Sequence, residues 1–65
     1  MIVSLEEQAK ACEREVAMRR RAYPNWVHSG RLTQAKADRE IAAMEAAAET
    51  LRQLAEAEKA KGRLL

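Results

Sequence analysis

Several residue types are absent or scarce in this sequence of 65 residues, including those that interrupt a helix or cross-link a chain. It contains no Phe, one Pro, two Gly, one Cys and one His. A lone cysteine excludes an internal disulfide, and so few prolines and glycines leave few points at which the chain must turn. No apolar run approaches the roughly 20 residues that a membrane helix needs. We therefore expect no membrane-spanning segment.

An excess of one charge and a secretion signal are also lacking. The net charge is only +2 although 34% of the residues are charged, which argues against a uniformly basic protein that coats nucleic acid. The N-terminal residues do not show the basic, apolar and small-residue segments of a signal peptide. Together with the single cysteine, this pattern predicts a reducing compartment, and we expect a cytoplasmic protein.

The sequence is rich in alanine, which occupies fourteen positions and favours helix while burying little area. A first helix is predicted from Ser4 to Ala22, because Ser4 and Glu7 have the spacing of a capping box. Spacings of three and four residues place one set of side chains along a single packed face. This first stripe consists of Leu5, Ala9, Cys12, Val16, Arg19 and Tyr23.

Two pairs of opposite charges, Glu6 with Lys10 and Glu15 with Arg19, are spaced four residues apart. Such pairs stabilise an exposed helix by a few tenths of a kcal/mol each. They indicate the solvent-facing sides of the first helix.

The stretch from Tyr23 to Thr33 holds the only proline, both aromatic residues and the only histidine. Pro24 has no N–H to donate to the carbonyl of Arg20, and proline disfavours helical geometry in the residue before it. We therefore predict a break or kink at this point, followed by a short helical turn from Pro24 to Ser29.

The second helix is predicted from Gln34 to Lys61, with Thr33 as its N-cap and Gly62 as its stop. Gly30 can adopt the left-handed conformation that closes the preceding turn. The packed stripe of the second helix consists of Ala37, Ile41, Met44, Ala48, Leu51 and Ala55. Beside it runs a smaller apolar row, here called the second row: Ala43, Ala47, Leu54 and Ala57.

These elements predict an all-α fold, in which residues 1–65 form one domain, an antiparallel helical hairpin with a Pro-kinked turn. A hairpin covers one stripe per helix and leaves the second row exposed, together with Met18 on the first helix. Symmetric dimers commonly cover such rows. We therefore expect a homo-oligomer, specifically a dimer that forms a four-helix bundle.

Side chains that support catalysis or metal binding are isolated. Cys12 and His28 are the only residues of their types, whereas metal sites need several ligands and thiol catalysis needs a nearby base. The carboxylates lie along helices, without a Gly-rich loop or a cleft that would desolvate them. We predict a non-enzyme without a metal or a cofactor.

The candidate partner-binding residues lie at the closed end of the hairpin: Arg20, Arg21, Tyr23, Trp26 and Arg31. Trp, Tyr and Arg are the residues most enriched in binding hot spots. Aromatic rings beside guanidinium groups can also stack bases and pair with phosphates. Alternatively, Tyr23 and Trp26 simply plug the end of the bundle.

Two segments resemble a known group of proteins. The pattern Tyr-Pro-x-Trp-Val-x-x-Gly-Arg-Leu-Thr, at Tyr23 to Thr33, and the sequence Ala-Asp-Arg-Glu-Ile-Ala-Ala-Met-Glu-Ala, at Ala37 to Ala46, resemble small bacteriophage and prophage-encoded proteins of uncharacterised function. The resemblance implies a viral accessory protein in the host cytoplasm, which binds or inhibits a host or phage protein. It implies no catalytic or binding residue.

Three functions remain open from the sequence. The chain is interpreted first as an interaction protein that self-associates and binds a host or phage protein. A second hypothesis is a nucleic-acid-binding protein that uses the arginine cluster. A third is a helical oligomer that sequesters a small anionic ligand such as a nucleotide.

Overall fold

The protein is a hairpin of two long helices in the computed structural model, which describes residues 1–63. Helix α1 spans Leu5–His28 and α2 spans Gln34–Arg63. The helices pack against each other along their length, and the molecule measures 53 × 22 × 16 Å. The all-helical hairpin is therefore confirmed.

Both helix starts are capped by the predicted residues. The Ser4 hydroxyl accepts a hydrogen bond from the Glu7 N–H at 3.0 Å, and the Thr33 hydroxyl accepts one from the Lys36 N–H at 3.1 Å. Each bond satisfies one backbone donor that has no partner within its own helix.

Of the two alternatives predicted at Pro24, a break or a kink, the break is wrong, because α1 continues through Pro24 to His28. Proline removes only one hydrogen bond of the helix, the one to the Arg20 carbonyl, and it lies in the penultimate turn. The last turn is held instead by its own C-terminal cap. The first helix and the short turn that the sequence suggested are therefore one element.

Gly30 provides that cap, as predicted, with a φ of 80°. The Arg31 N–H donates to the Trp26 carbonyl at 2.9 Å, and the Gly30 N–H donates to the Val27 carbonyl at 3.1 Å. This pair of bonds is the Schellman motif, which needs a left-handed residue after the helix. The loop therefore reverses the chain directly beside Trp26.

The predicted stop at Gly62 is also wrong, since α2 includes Gly62 and reaches Arg63. Glycine costs about 1 kcal/mol relative to alanine inside a helix but does not forbid helical geometry. Of the described residues, only Gly30 has a positive φ. Gly62 therefore does not form the left-handed cap that would have ended α2.

The core is a seam of alanines between the two predicted stripes. Among the residues whose burial is described, the buried hydrophobic residues are Ala9, Ala37, Ala48 and Ala55. Every other member of the two stripes is half-buried. Small side chains let the helices approach closely, but they remove little apolar area from water.

The two broad faces of the hairpin differ in character. One carries the charge ladder, a set of cross-helix pairs formed by Glu6, Glu13 and Arg20 on α1 with Glu45, Arg52 and Lys59 on α2. The other carries the second row, in which Leu54 remains 49% exposed. Arg52 and Leu54 are two residues apart, which places them about 160° apart around the helix.

Candidate interaction surface at the closed end

The aromatic pair lies on the last two turns of α1. The ring centroids of Tyr23 and Trp26 are 5.3 Å apart, with their planes inclined by 32°, a separation typical of favourable aromatic packing. Tyr23 is half-buried, whereas Trp26 is 43% exposed. Trp26 therefore has one packed side and one side open to water.

The loop places Arg31 close to this pair. Its backbone N–H bonds to the Trp26 carbonyl, and the Arg31 side chain belongs to an exposed residue. In the part of the chain that the structure describes, neither Arg31 nor Arg21 forms an ion pair. These two guanidinium groups are available to a carboxylate or phosphate of another molecule.

Among the predicted site residues, Arg20 differs in forming an ion pair with the other helix. It donates a hydrogen bond to the Glu45 carboxylate on α2, as the last pair of the charge ladder. Tyr23 lies between Arg20 and Trp26, which are about 120° apart around the helix. The structure thus directs Arg20 towards the ladder face and Trp26 towards the other.

Arg21 is also separated from Trp26 around α1. Five residues correspond to about 140° around the helix axis. The predicted cluster therefore does not form one compact patch. It consists of Trp26 with Tyr23 and Arg31 at the loop, flanked by Arg20 on one side and by Arg21 on the outer side.

Arg19, which the stripe placed in the packed seam, links the two helices. It donates to the Glu15 carboxylate at 2.9 Å and to the Glu40 carbonyl at 2.8 Å. The hydrogen bond to Glu15 raises the pKa of Arg19. Its role is therefore structural, and it contributes little free charge to the closed end.

A shallow groove of about 190 Å³ lies on the ladder side of the closed end. Arg20 and Gln34 provide its polar rim, and its apolar walls include Tyr23 and Ile41. Trp26 does not line it. The groove is therefore a surface separate from the exposed side of Trp26.

Sequence reasoning missed the charge ladder itself. Arg52 is its centre, donating to Glu6 at 2.8 Å and to both oxygens of Glu13 at 2.9 and 3.1 Å. These hydrogen bonds raise the pKa of Arg52 and lower the pKa of Glu6 and of Glu13. The signal that could have revealed it is a seven-residue spacing on both helices, at positions 6, 13 and 20 and at positions 45, 52 and 59.

The within-helix pairs that the sequence suggested are present. Glu15 and Arg19 are 2.9 Å apart, and Glu6 and Lys10 are 3.9 Å apart. Glu6 therefore joins a pair within α1 to the ladder between the helices.

The side chains that a metal or nucleophilic site would need remain far apart. Cys12 is half-buried in the seam, and His28 is exposed at the end of α1. Sixteen residues of helix separate them, which is about 24 Å. Within the described residues, no three His, Cys, Asp or Glu side chains converge as metal ligands do.

Neither helix, over the residues that the structure describes, has the length and apolarity required to cross a bilayer. Comparison with known proteins finds no matching family model, no matching curated protein and no matching solved structure.

Proposed function

We propose that this chain is a small, non-enzymatic accessory protein of the phage type. It dimerises into a four-helix bundle and uses the closed end of each hairpin to bind a host or phage protein. The observation that carries this proposal is Trp26, an aromatic side chain left 43% exposed beside the loop that carries the exposed Arg31.

A binding role explains why Trp26 is placed where it is. A tryptophan that only plugged the bundle would be expected to be more buried than this, since tryptophan is highly buried on average. Trp26 instead packs one side on Tyr23 and keeps the other available. Trp, Tyr and Arg are the residue types most enriched in binding hot spots.

A protein partner is favoured over nucleic acid by the local charges. Arg19 and Arg20 are both bound to carboxylates of this chain, so fewer arginines remain for phosphates than the sequence suggested. Phosphate binding by several cations would also require them to share one surface. Arg21 and Trp26 lie on different sides of α1.

Dimerisation is supported by the small core. Four alanines make up the buried hydrophobic part of the described chain, while Met18 and Leu54 are each 49% exposed. A single hydrophobic core in a chain of this length contributes only marginal stability. A second copy of the chain can cover these exposed apolar side chains, so no other protein is needed to bury them.

The test compares Trp26→Ala with Met18→Ala, a matched change at another half-exposed residue of α1. These variants and Arg31→Glu are used to capture partners from bacterial lysates with and without nuclease treatment, and the captured proteins are quantified. We expect Trp26→Ala and Arg31→Glu to lose a protein that Met18→Ala retains, while all three stay helical by circular dichroism. Equal capture by all variants would contradict a binding role for the closed end, and capture that disappears with nuclease would indicate a nucleic-acid partner.

A further inference from the structure

We infer, building on the proposed dimerisation, that the second row of α2 packs antiparallel against the second row of another copy, with Thr50 at the two-fold axis. Glu40, Thr50 and Lys61 extend the second row, and the spacings of the extended row alternate between three and four residues along most of α2. Its members are Glu40, Ala43, Ala47, Thr50, Leu54, Ala57 and Lys61. Spacing of this kind defines a face that can pack along another helix.

The centre of the row is suited to burial. The Thr50 hydroxyl donates to the Ala46 carbonyl at 3.0 Å, so its hydrogen is satisfied within the helix and its methyl group can face a partner. With Thr50 at the axis, Leu54 of each copy faces Ala47 of the other. A large side chain thereby meets a small one on both sides of the axis.

The ends of the row carry opposite charges, Glu40 at one end and Lys61 at the other. The Glu40 carboxylate has only a distant contact in the chain, 3.7 Å from Arg19, and Lys61 forms no ion pair within the described residues. Antiparallel pairing about Thr50 brings Glu40 of each copy to Lys61 of the other. Parallel pairing would instead place like charges together at both ends.

The distribution of charge over the whole chain favours the same arrangement. Residues 17–45, which include the closed end, contain six cations and three carboxylates, whereas the remaining residues contain six cations and seven carboxylates. A dimer with both closed ends together would concentrate positive charge. The antiparallel arrangement places each closed end beside the more acidic end of the other copy.

The exposed area is also larger than that of a compact monomer, as expected for an elongated hairpin with room for a second copy along its side. The chain exposes 5203 Å², whereas a compact monomer of its mass exposes about 4,200 Å². The excess, on the order of 1,000 Å², is comparable to the roughly 800 Å² per partner that a standard interface buries.

The decisive test places a cysteine on the axis. In a Cys12→Ala background, Thr50→Cys puts the new thiol opposite its own copy, and mild oxidation should form a disulfide-linked dimer. Glu49→Cys is the matched control, since it is adjacent in sequence but about 100° away around the helix. We expect the Thr50→Cys disulfide to form at least about tenfold faster, because reaction requires the two sulfurs to meet.

A charge reversal tests the ends of the row independently. Lys61→Glu places like charges at both ends and should raise the dimer dissociation constant about tenfold. Adding Glu40→Lys restores opposite charges and should return the constant towards that of the parent chain. Sedimentation equilibrium measures both changes.

The outcomes separate this inference from the function on which it rests. If the chain dimerises but Thr50→Cys and Glu49→Cys oxidise equally slowly, the proposed pairing of the second rows is wrong, whereas dimerisation itself stands. A chain that stays monomeric at every concentration overturns both. Capture of a partner protein through Trp26 is measured separately and depends on neither result.

Discussion

The two broad faces of the hairpin differ in whether their side chains find partners within the hairpin. On one face, charged side chains of α1 form ion pairs with charged side chains of α2, and on each helix these residues are seven positions apart. The α1 residues are Glu6, Glu13 and Arg20. On the other, Leu54 stays half exposed above alanines. The difference teaches that the charged groups of the ladder face are paired within the hairpin, whereas the second row leaves apolar surface exposed to water.

The largest effect is expected in the seam that both faces share. Ala9 is fully buried, whereas Ala11, on the same helix, is exposed. Ala9→Leu should force the helices apart and lower the free energy of unfolding by about 1–3 kcal/mol. Ala11→Leu should change it little. Urea denaturation of both variants measures the difference, and equal stabilities would show that the seam is not closely packed.

A smaller effect is expected on the face of the second row. If dimerisation covers Leu54, the melting temperature of the parent chain should rise with protein concentration. Leu54→Ala should lower the apparent stability by about 1 kcal/mol, since the side chain is already half covered within one hairpin. Gln53→Ala is the control and should change little. A melting temperature independent of concentration in the parent chain would argue against an interface there.

On the ladder face, the stability of the hairpin should depend on side-chain charge rather than on side-chain volume. Arg52→Gln leaves Glu6 and Glu13 without their shared cation, so the melting temperature should fall. The loss should shrink as salt is added, because the groups are partly exposed and are screened. Arg14→Gln, at an exposed arginine without an ion pair in the described residues, should not show this dependence on salt.

The smallest effect is expected from acid. Arg52 lowers the pKa of Glu6 and of Glu13 in the folded chain, so both carboxylates favour folding above the unfolded carboxyl pKa of about 4.3. This contribution is lost as the pH falls from that value through the lower folded pKa. The urea midpoint, followed from pH 7 to pH 3, should fall less in Arg52→Gln than in the parent chain. An identical fall in both would show that the ladder does not contribute to the acid response.

Local features of the fold could be predicted from the sequence because their causes are local. The caps at Ser4 and Thr33 depend on residues within three positions, and the two stripes follow from helical periodicity alone. Pro24 and Gly62 were misjudged because each lowers helix propensity without forbidding helix. At both positions the backbone stays helical in spite of this lower propensity.

The candidate site was predicted less well because its charges respond to distant partners. Arg20 was assigned to the closed end, but Glu45, 25 residues away in sequence, binds it from the other helix. Trp26 lies at the closed end, but within α1 rather than in the separate turn that was predicted. Whether one of its sides stays exposed depends on where the loop returns the chain, which composition and spacing do not specify.

The seven-residue repeat of the ladder also has a consequence for misfolding. Half of the packed stripe of α2 is alanine, at Ala37, Ala48 and Ala55, so α1 could pack against it in several registers with similar burial. A slip of one heptad, however, places Arg20 against Arg52 in one direction and Glu13 against Glu45 in the other. Each slipped register therefore contains a repulsive contact that the native alignment avoids. The surface charges thus discriminate between alignments that the seam alone would accept.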